Sequence, residues 1–348
     1  MRIFHCQRCG QMLFFANTSC ERCGLRLGYL PDRTVLSALV PLDGDRWRPL
    51  ADAGRPHRFC VNAGHDACNW LVPADGPERF CRACRLNRTI PDLDRPQNHQ
   101  RWQRLETAKH RLVYGLLRLG LPLTSRFDDP RAGLAFDFLA DARVPVTTGH
   151  RAGVITIDIA EADDAERERH RLDMAETYRT LLGHFRHEVG HYYWDRLVRD
   201  GLWLEAFRTL FGDERRDYAA SVTMHYETGP PADWRQRYIS GYASAHPWED
   251  FAETWAHYLH IVDTLETAHA FGLQVHPQAG SHSRPSMTAI DFDPYRQADF
   301  DLLIRTWLPL TYAVNSLNHS MGLPDLYAFV LAPTVMGKLR FVHGLIGR

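Results

Sequence analysis

The cysteines constrain this chain more than any other residue type, because all eight lie within its first 84 residues. Four of them form two CxxC knuckles, each followed by a glycine, Cys6-Gln7-Arg8-Cys9-Gly10 and Cys20-Glu21-Arg22-Cys23-Gly24. A CxxC knuckle directs two thiolates at one tetrahedral ion, and the glycine accepts the positive φ of the tight turn. Two knuckles this close together predict a zinc ribbon. The expected ligands of its structural zinc are Cys6, Cys9, Cys20 and Cys23.

The other four cysteines have a looser spacing, and they predict a second structural zinc site. Its expected ligands are Cys60, Cys68, Cys81 and Cys84. His57 and His65 lie close enough in the sequence to replace one of these ligands. Two closed sets of four leave no cysteine over, which favours structural rather than catalytic metal. The alternative is that these cysteines form disulfides. Thiols that hold metal fit a reducing compartment, so we expect a cytoplasmic protein.

Composition and charge set the broad class of the chain. A length of 348 residues suggests about two domains. Hydrophobic and charged contents of 45% and 24% are ordinary for a globular protein, and a net charge of −1 argues against a dominant nucleic-acid or membrane role. The start of the chain lacks the pattern of a signal peptide, and no apolar run is long enough to span a bilayer. We therefore expect no membrane segment.

The cysteine-bearing part is mildly basic. Residues 1–95 carry fourteen arginines and ten acidic residues, a net charge of about +4. Because these arginines are scattered rather than clustered, nucleic-acid binding through the zinc ribbons is kept only as an alternative. A module that binds protein, or that supports the rest of the chain, is the simpler interpretation.

The sequence His187-Glu188-Val189-Gly190-His191 is an HExxH motif. On a helix, residues four apart face the same side one turn apart, so His187 and His191 can direct two imidazoles at one cation. Glu188 lies beside them, where it can contact a water near the metal. The apolar spacing around the motif predicts a helix over roughly 174–199. Gly190, on the same stripe as His187, leaves room for a backbone or a substrate to approach the metal.

A third ligand is expected from a later acidic helix, 58 residues after His191. Glu249 and Glu253 are four residues apart on one face. We assign Glu249 to the metal and Glu253 to the free N–H of a ligand histidine, and the reverse assignment stays open. His257, one turn beyond Glu253, is a reserve ligand. His184 is too far from His191, about 10.5 Å along the helix axis, to share the ion with both histidines, and is expected beside the site.

The pattern also predicts how the chain is divided. Two prolines and several turn-forming residues over 90–98 indicate a boundary. We expect a zinc ribbon over 1–30, a second four-cysteine module with its linker over 31–95, and a metal-binding domain over 96–348. The β-branched run 154–159 predicts a strand just ahead of the HExxH helix. That strand is either an edge that an extended peptide could pair with or an ordinary core strand.

These motifs resemble those of a known family. HExxH with a distant helical glutamate resembles the gluzincin metallopeptidases, and residues 242–253 look like their tyrosine-and-glutamate arrangement. The stretches ITIDIAEADD, YRTLLGHFRHEVGHYYWDRL and HPWEDFAETWAHYLH are similar to bacterial zinc-binding metallopeptidases that carry an amino-terminal zinc ribbon. The resemblance implies an α+β fold with a mainly helical, gluzincin-like domain and a small sheet. It also implies that Tyr242 helps to stabilise the transition state.

The expected activity follows from the motif and the resemblance together. The chain would hydrolyse a peptide or amide bond of a peptide or protein substrate, with Glu188 assisting the attack of a zinc-bound water. Its cofactors would be three zinc ions, one catalytic and two structural. The alternative is a regulator whose zinc ribbons bind protein or nucleic acid, and whose metallopeptidase-like domain has limited or self-directed activity.

Overall fold

The computed structural model describes residues 1–52, 54–140, 146, 148–173, 179–276 and 288–347. The chain divides into two compact units. The amino-terminal unit comprises residues 2–172 and 179–188, and the carboxy-terminal unit comprises mainly residues 189–348. Helices and sheets are both present, as an α+β fold requires. Within the described part of the chain, no helix combines the length and apolarity that crossing a membrane requires.

The first part of the amino-terminal unit is built from short antiparallel strands. These are β1 (Phe4–His5), β2 (Met12–Leu13), β3 (Leu27–Leu30), β4 (Val35–Pro41), β5 (Trp47–Pro49), β6 (His57–Phe59) and β7 (Leu71–Pro73). β1 pairs with β2, while β3 to β7 form one five-stranded sheet in sequence order. Leu30, Leu39 and Leu71 form a buried cluster on this sheet. The β3–β4 hairpin crosses residue 30, the position of the first predicted boundary.

A second sheet in the same unit joins segments from both sides of the predicted boundary at residue 95. Its strands are β8 (Asn87–Thr89), β9 (Ala135–Leu139), β10 (Gly149–Arg151) and β11 (Val154–Asp158). The order is β10-β11-β9-β8, with β9 parallel to both β11 and β8. The division into three domains stays a prediction.

The strand predicted over 154–159 is present as β11, and of its two interpretations the interior strand is right and the edge strand is wrong. β11 lies between β9 and β10, and β10 is its antiparallel neighbour. The turn explains this: Ala152 and Gly153 both have positive φ, 48° and 82°. Two such residues form the tight hairpin that matches strand twist, so the chain folds back at once and β10 covers the edge of β11.

The described helices are α1 (Pro96–Arg118), α2 (Asp164–Asp173), α3 (Leu181–Leu197), α4 (Leu204–Phe211), α5 (Tyr218–Thr228), α6 (Trp234–Arg237), α7 (Pro247–Ala270), α8 (Phe300–Ser320) and α9 (Pro333–Ile346). Two short strands, β12 (Gln274–Val275) and β13 (Thr288–Ala289), pair with each other. α1 starts with proline at its first position, where a missing N–H costs nothing.

Helix α3, which carries HExxH, starts later than its predicted beginning near residue 174. Residues 174–178 lie outside the described residues, and 179–180 are not helical. The Thr180 hydroxyl accepts a hydrogen bond from the Gly183 N–H at 3.0 Å, the contact that an N-cap makes. This cap fixes the start of the helix at Leu181. The spacing of apolar residues, from which the helix was predicted, does not show where such a cap lies.

Helix α7 packs against α4, α8 and α9 within the carboxy-terminal unit. His246 caps its N-terminus by accepting a hydrogen bond from the Trp248 N–H. A Cβ added to Gly190 of α3 would lie 3.0 Å from the Ala252 Cα of α7. The glycine therefore allows the backbones of α3 and α7 to approach closely. The space that was predicted beside Gly190 for a backbone or a substrate is occupied by the backbone of α7.

Each unit buries one of the chain's two lysines in an ion pair. Lys109 of α1 donates to the Glu106 carboxylate at 2.7 Å, and both side chains are fully buried. Lys338 of α9 donates to the Asp250 carboxylate of α7 at 2.6 Å. A buried charge is tolerated when it is paired and hydrogen-bonded, and each ammonium here meets both conditions.

Candidate metal centres

The three HExxH side chains lie on α3, and all three are buried. His187 and His191 are one helical turn apart, as the spacing predicts. Glu249 is the third residue of α7, in a first turn where the helix dipole favours negative charge. Its Oε2 atom lies 3.5 Å from Nε2 of His191.

The ligand atoms of His187, His191 and Glu249 all lie within 4.8 Å of one another. Two imidazoles and one carboxylate are a donor set that catalytic zinc sites use, with a fourth position left for water or substrate. The chemistry of the residues therefore fits zinc. Glu249, rather than Glu253, is the carboxylate in this group.

Two aromatic residues hold this donor group, and sequence reasoning gave neither of them a role. The Tyr218 hydroxyl, at the start of α5, donates to Oε1 of Glu249 at 2.7 Å. The ring of Trp248 lies against the His191 imidazole, with centroids 3.9 Å apart. Such outer contacts fix the orientation of metal ligands. Tyr218 precedes Glu249 by 31 residues, and no spacing rule connects the two positions.

Replacing Tyr218 with phenylalanine is expected to lower the zinc affinity of this site about 10- to 100-fold, because the carboxylate loses the contact that orients it. The measurement is a zinc titration against a chelating dye. Tyr312→Phe, at an exposed position on α8, is the matched control. Equal affinity in the Tyr218→Phe and Tyr312→Phe chains would contradict the orienting role.

The other predicted site residues have neighbours of their own. Glu253 accepts a hydrogen bond from the Ser240 hydroxyl at 2.6 Å. The half-buried Tyr242 lies against His225 of α5, with ring centroids 5.8 Å apart. The roles assigned to Glu253 and Tyr242 stay predictions. His257, the reserve ligand, is hydrogen-bonded to the Tyr327 hydroxyl at 3.0 Å. It is not in the donor group found among the described residues.

Asp250, the residue after Glu249, is held by Lys338. Burial raises the pKa of the Asp250 carboxyl, and the nearby Lys338 ammonium reduces this effect, leaving the pKa at about 7. The Asp250 carboxylate therefore links α7 to α9 and is not part of the metal group.

His184 lies beside the HExxH glutamate, as the sequence predicted. Its Nδ1 is 2.6 Å from Oε2 of Glu161, and its Nε2 is 3.4 Å from Oε1 of Glu188. Burial alone lowers the pKa of His184, but the charge of Glu161 and the contacts with both carboxylates raise it to about 9. The imidazole is then positively charged at neutral pH and bridges two carboxylates.

Glu161 is the second partner of this imidazolium. Burial raises its pKa, and His184, Thr148 and Arg179 together outweigh that effect and lower it to about 2. Thr148 donates to Oε1 of Glu161 at 2.6 Å. The pair is therefore charged on both sides from acid to mildly alkaline pH.

This pair predicts a pH dependence of stability. The folded-state pKa of His184 is raised, so its contribution is fully present below the unfolded value of about 6.5 and is lost as pH rises toward about 9. The contribution of Glu161 is lost as pH falls from about 4.3 toward 2.

The measurement is urea unfolding of wild type and of Glu161→Gln at a series of pH values that covers both titrations. The difference between their free energies of unfolding should be largest near pH 5–6 and shrink toward pH 9. A difference that is constant with pH would contradict the charged pair.

The first cysteine group comprises Cys6, Cys9, Cys20 and Cys23, and their sulfur atoms lie within 4.8 Å of one another. Cys6 is 3.6 Å from Cys23, and Cys9 is 3.6 Å from Cys20. Two thiolates on one zinc lie about 3.7 Å apart, given a Zn–S bond of about 2.3 Å. The group fits zinc, and its cysteines form no disulfide.

The knuckle turns support this group as predicted. Gly10 and Gly24 have φ values of 73° and 72°, in the left-handed region. A hydrogen bond from the Cys23 backbone, with a further one from Arg22, lowers the pKa of Cys20 to about 7 against the effect of burial. The backbone thereby favours the thiolate form of Cys20, whereas at Cys9 and Cys23 burial and the neighbouring thiols outweigh the backbone hydrogen bonds and raise the pKa.

The second group, Cys60, Cys68, Cys81 and Cys84, meets the same distance condition. His57 and His65, the histidines that the sequence offered as substitutes, are not part of it. His57 contacts the Arg55 carbonyl, and the His65 ring lies against Trp102. The histidine that contacts these thiols is His110 of α1, which sequence reasoning missed.

A cavity of about 400 Å³ opens beside this second group. Its wall includes the polar side chains of Arg26, Asp66 and Asn69, together with Cys68 and His110. The cavity therefore lies in the amino-terminal unit, with a wall formed by the cysteine-bearing part and by α1.

The His/His/Glu group and the two four-cysteine groups together define a zinc-binding class of protein. A family model described as "Putative zinc-binding metallo-peptidase" matches residues 98–345, and a zinc-ribbon domain model matches residues 3–95. The chain belongs to this zinc-binding metallopeptidase family.

Relatives in mycobacteria match nearly the whole chain. Proteins of Mycobacterium bovis and Mycobacterium tuberculosis, each named an uncharacterized protein, are 44% identical to it over 347 residues. The alignments cover 99% of this chain and 95% of each relative. No solved structure matches the chain.

Proposed function

We propose that this chain is a zinc-dependent hydrolase that cleaves a peptide or amide bond of a peptide or protein. The observation that carries the proposal is the donor group itself: the ligand atoms of His187, His191 and Glu249 lie within 4.8 Å of one another. Glu188 is adjacent to His187 on the same helix. The family match supports a metallopeptidase, and the gluzincin type of site is our more specific inference.

The proposed roles divide the chemistry among residues of this chain. His187, His191 and Glu249 would hold the catalytic zinc. Zinc bound there would supply Lewis acidity, which polarises a carbonyl and lowers the pKa of water. Glu188 would take a proton from the attacking water and pass it to the leaving amine. Tyr242 would donate to the developing oxyanion.

His184 would keep the Glu188 carboxylate in position. Its Nε2 atom is 3.4 Å from Oε1 of Glu188, while its Nδ1 atom is held by Glu161. A base acts efficiently only when it lies within hydrogen-bond reach of the proton that it takes. An imidazolium fixed on its other side limits the orientations that the carboxylate can adopt.

The two cysteine groups would hold structural zinc, giving three ions for each chain. Their thiols form no disulfide and fall into two groups of four. Thiols in this state need a reducing environment, so we also propose that the protein acts in the cytoplasm.

The proposal is tested with a peptide library prepared from a bacterial proteome, so that no substrate has to be assumed. Purified protein is compared in three states: as isolated, after zinc removal by a chelator, and after zinc is restored. Cleavage that disappears with the zinc and returns with it is the expected result, and mass spectrometry of new termini gives the specificity.

The contrary result is a chain with full zinc occupancy that cleaves no library peptide. That outcome would favour the alternative function, in which the zinc ribbons bind a partner and any hydrolysis is limited or self-directed. Salt-sensitive binding of RNA or DNA by the zinc-loaded chain would then identify the partner as nucleic acid.

A further inference from the structure

The second cysteine group has a neighbour that its own sequence region does not supply. His110 lies on α1, 26 residues after Cys84, and its side chain is buried. Its Nε2 atom is 3.2 Å from the Cys68 sulfur, 3.6 Å from that of Cys84 and 3.9 Å from that of Cys81. One ring nitrogen therefore faces three of the four thiols.

The other ring nitrogen determines what Nε2 can do. Nδ1 of His110 is 2.6 Å from the backbone carbonyl oxygen of Glu106. A carbonyl only accepts hydrogen bonds, so Nδ1 carries the proton and donates. In the neutral ring, Nε2 then has a lone pair directed at the sulfur atoms. Histidines that bind metals commonly have this arrangement, with one nitrogen on the ion and the other donating to a carbonyl.

The distances agree with a shared tetrahedral ion. With Zn–S near 2.3 Å and Zn–N near 2.0–2.1 Å, two ligand atoms on one zinc lie roughly 3.4–3.8 Å apart. The separation between the Cys68 and Cys81 sulfur atoms is 3.7 Å, and those from Nε2 of His110 to the three sulfur atoms are 3.2–3.9 Å. Cys68, Cys81, Cys84 and His110 thus form a second possible tetrahedral set.

Charge favours the imidazole in this buried place. Four thiolates on a divalent zinc leave a net charge of about −2, whereas three thiolates and a neutral imidazole leave about −1. Burying less net charge costs less free energy. Glu106 also borders the group, with Oε2 3.7 Å from the Cys84 sulfur, while its Oε1 accepts hydrogen bonds from Lys109 and Asn87, both at 2.7 Å. A carboxylate in place of the imidazole would not reduce the buried negative charge.

We propose that His110 is a ligand of the second structural metal site. The site has five donors, and zinc is held by Cys68, Cys81 and Cys84 together with either Cys60 or His110. When His110 is the fourth ligand, the zinc connects the cysteine module directly to α1. The competing arrangement is a protonated His110 that donates to the thiolates without binding the ion. Burial lowers the pKa of His110, but Cys84 and Glu106 together outweigh that effect and raise it, which is the direction that the competing arrangement needs.

The test counts zinc in the full-length chain carrying Cys60→Ala, His110→Ala, both substitutions, or Cys81→Ala. We expect either of the first two single variants to keep the second structural zinc, because a complete tetrahedral set remains. The double variant and Cys81→Ala should each lose one zinc for each chain. Cys20→Ala is the matched control in the first group, which among the described residues has four cysteines and no histidine. It should lose its zinc with a single substitution.

Cobalt substitution provides the second measurement. Thiolate-to-cobalt absorption should be weaker in Cys60→Ala than in His110→Ala, because the first chain offers three thiolates and an imidazole and the second offers four thiolates. A Cys60→Ala chain that loses its second zinc as completely as Cys81→Ala would overturn the proposal. So would a double variant that keeps the zinc, whereas a His110→Ala chain that alone loses it would make His110 a required ligand.

Discussion

Replacing Glu188 with glutamine is expected to lower peptide hydrolysis about 100- to 10,000-fold while zinc stays bound, since this is the range that a general base contributes. The amide has nearly the same shape as the carboxylate but cannot take a proton from water. Glu188 is not among the donors of the metal group, so zinc content should remain that of the wild type. The measurements are the cleavage rate on a library peptide and the zinc content of the same sample.

Two further variants make this result specific. His191→Ala should lose both zinc and activity, which separates a lost ligand from a lost base. Glu205→Gln, on an exposed part of α4, controls for the exchange of glutamate for glutamine. Undiminished hydrolysis by the Glu188→Gln chain would remove this residue from the mechanism and leave the zinc assignment untouched.

Loss of the first structural zinc is expected to unfold the region around it. Metal binding contributes roughly 10 kcal/mol or more to small zinc-stabilised modules. β1 and β2 have only two residues each, so the strands alone form too little structure to replace the ion. Cys20→Ala should therefore release one zinc and raise amide hydrogen exchange across residues 4–24 to nearly that of an unfolded chain.

Hydrogen exchange with mass spectrometry measures this effect segment by segment. Ser19→Ala, at the exposed neighbouring position, is the matched control and should leave both zinc and exchange unchanged. Protection that persists over residues 4–24 after the zinc is lost would show that β-pairing and the neighbouring sheet suffice without the metal.

Local spacing was enough to predict the parts of these sites that lie close together in the sequence. The knuckle glycines have the positive φ that a tight CxxC turn requires, and two histidines four apart on a helix face the same way. Choosing Glu249 rather than Glu253 was an argument from helix geometry and resemblance. The donor group contains Glu249, and its role as the zinc ligand stays a prediction.

The contacts that sequence reasoning missed are all between residues distant in the chain. Tyr218 reaches Glu249 across 31 residues, and Glu161 reaches His184 across 23. Each of them looks like an ordinary surface or helix residue until the chain is folded. His110 was hidden in the same way, because it lies within the regular apolar spacing of α1.

Strand order was also beyond local reasoning. The β-branched run of β11 predicts a strand but not its neighbours, because one periodicity serves edge and interior strands alike. The tight hairpin at Ala152 and Gly153 covers the edge, but Ala-Gly is not one of the residue pairs that mark such a turn in a sequence.

The two buried lysine pairs have a practical consequence for work on this protein. Lys109 and Lys338 are the only lysines, and their side chains are 0% and 3% exposed. Amine-directed cross-linkers, and enzymes that attach groups to lysine side chains, therefore find no accessible ε-amine on either residue in the folded chain. Labelling at either position would instead report that the surrounding helix has opened, so a simple amine reagent can serve as a probe of unfolding in each unit.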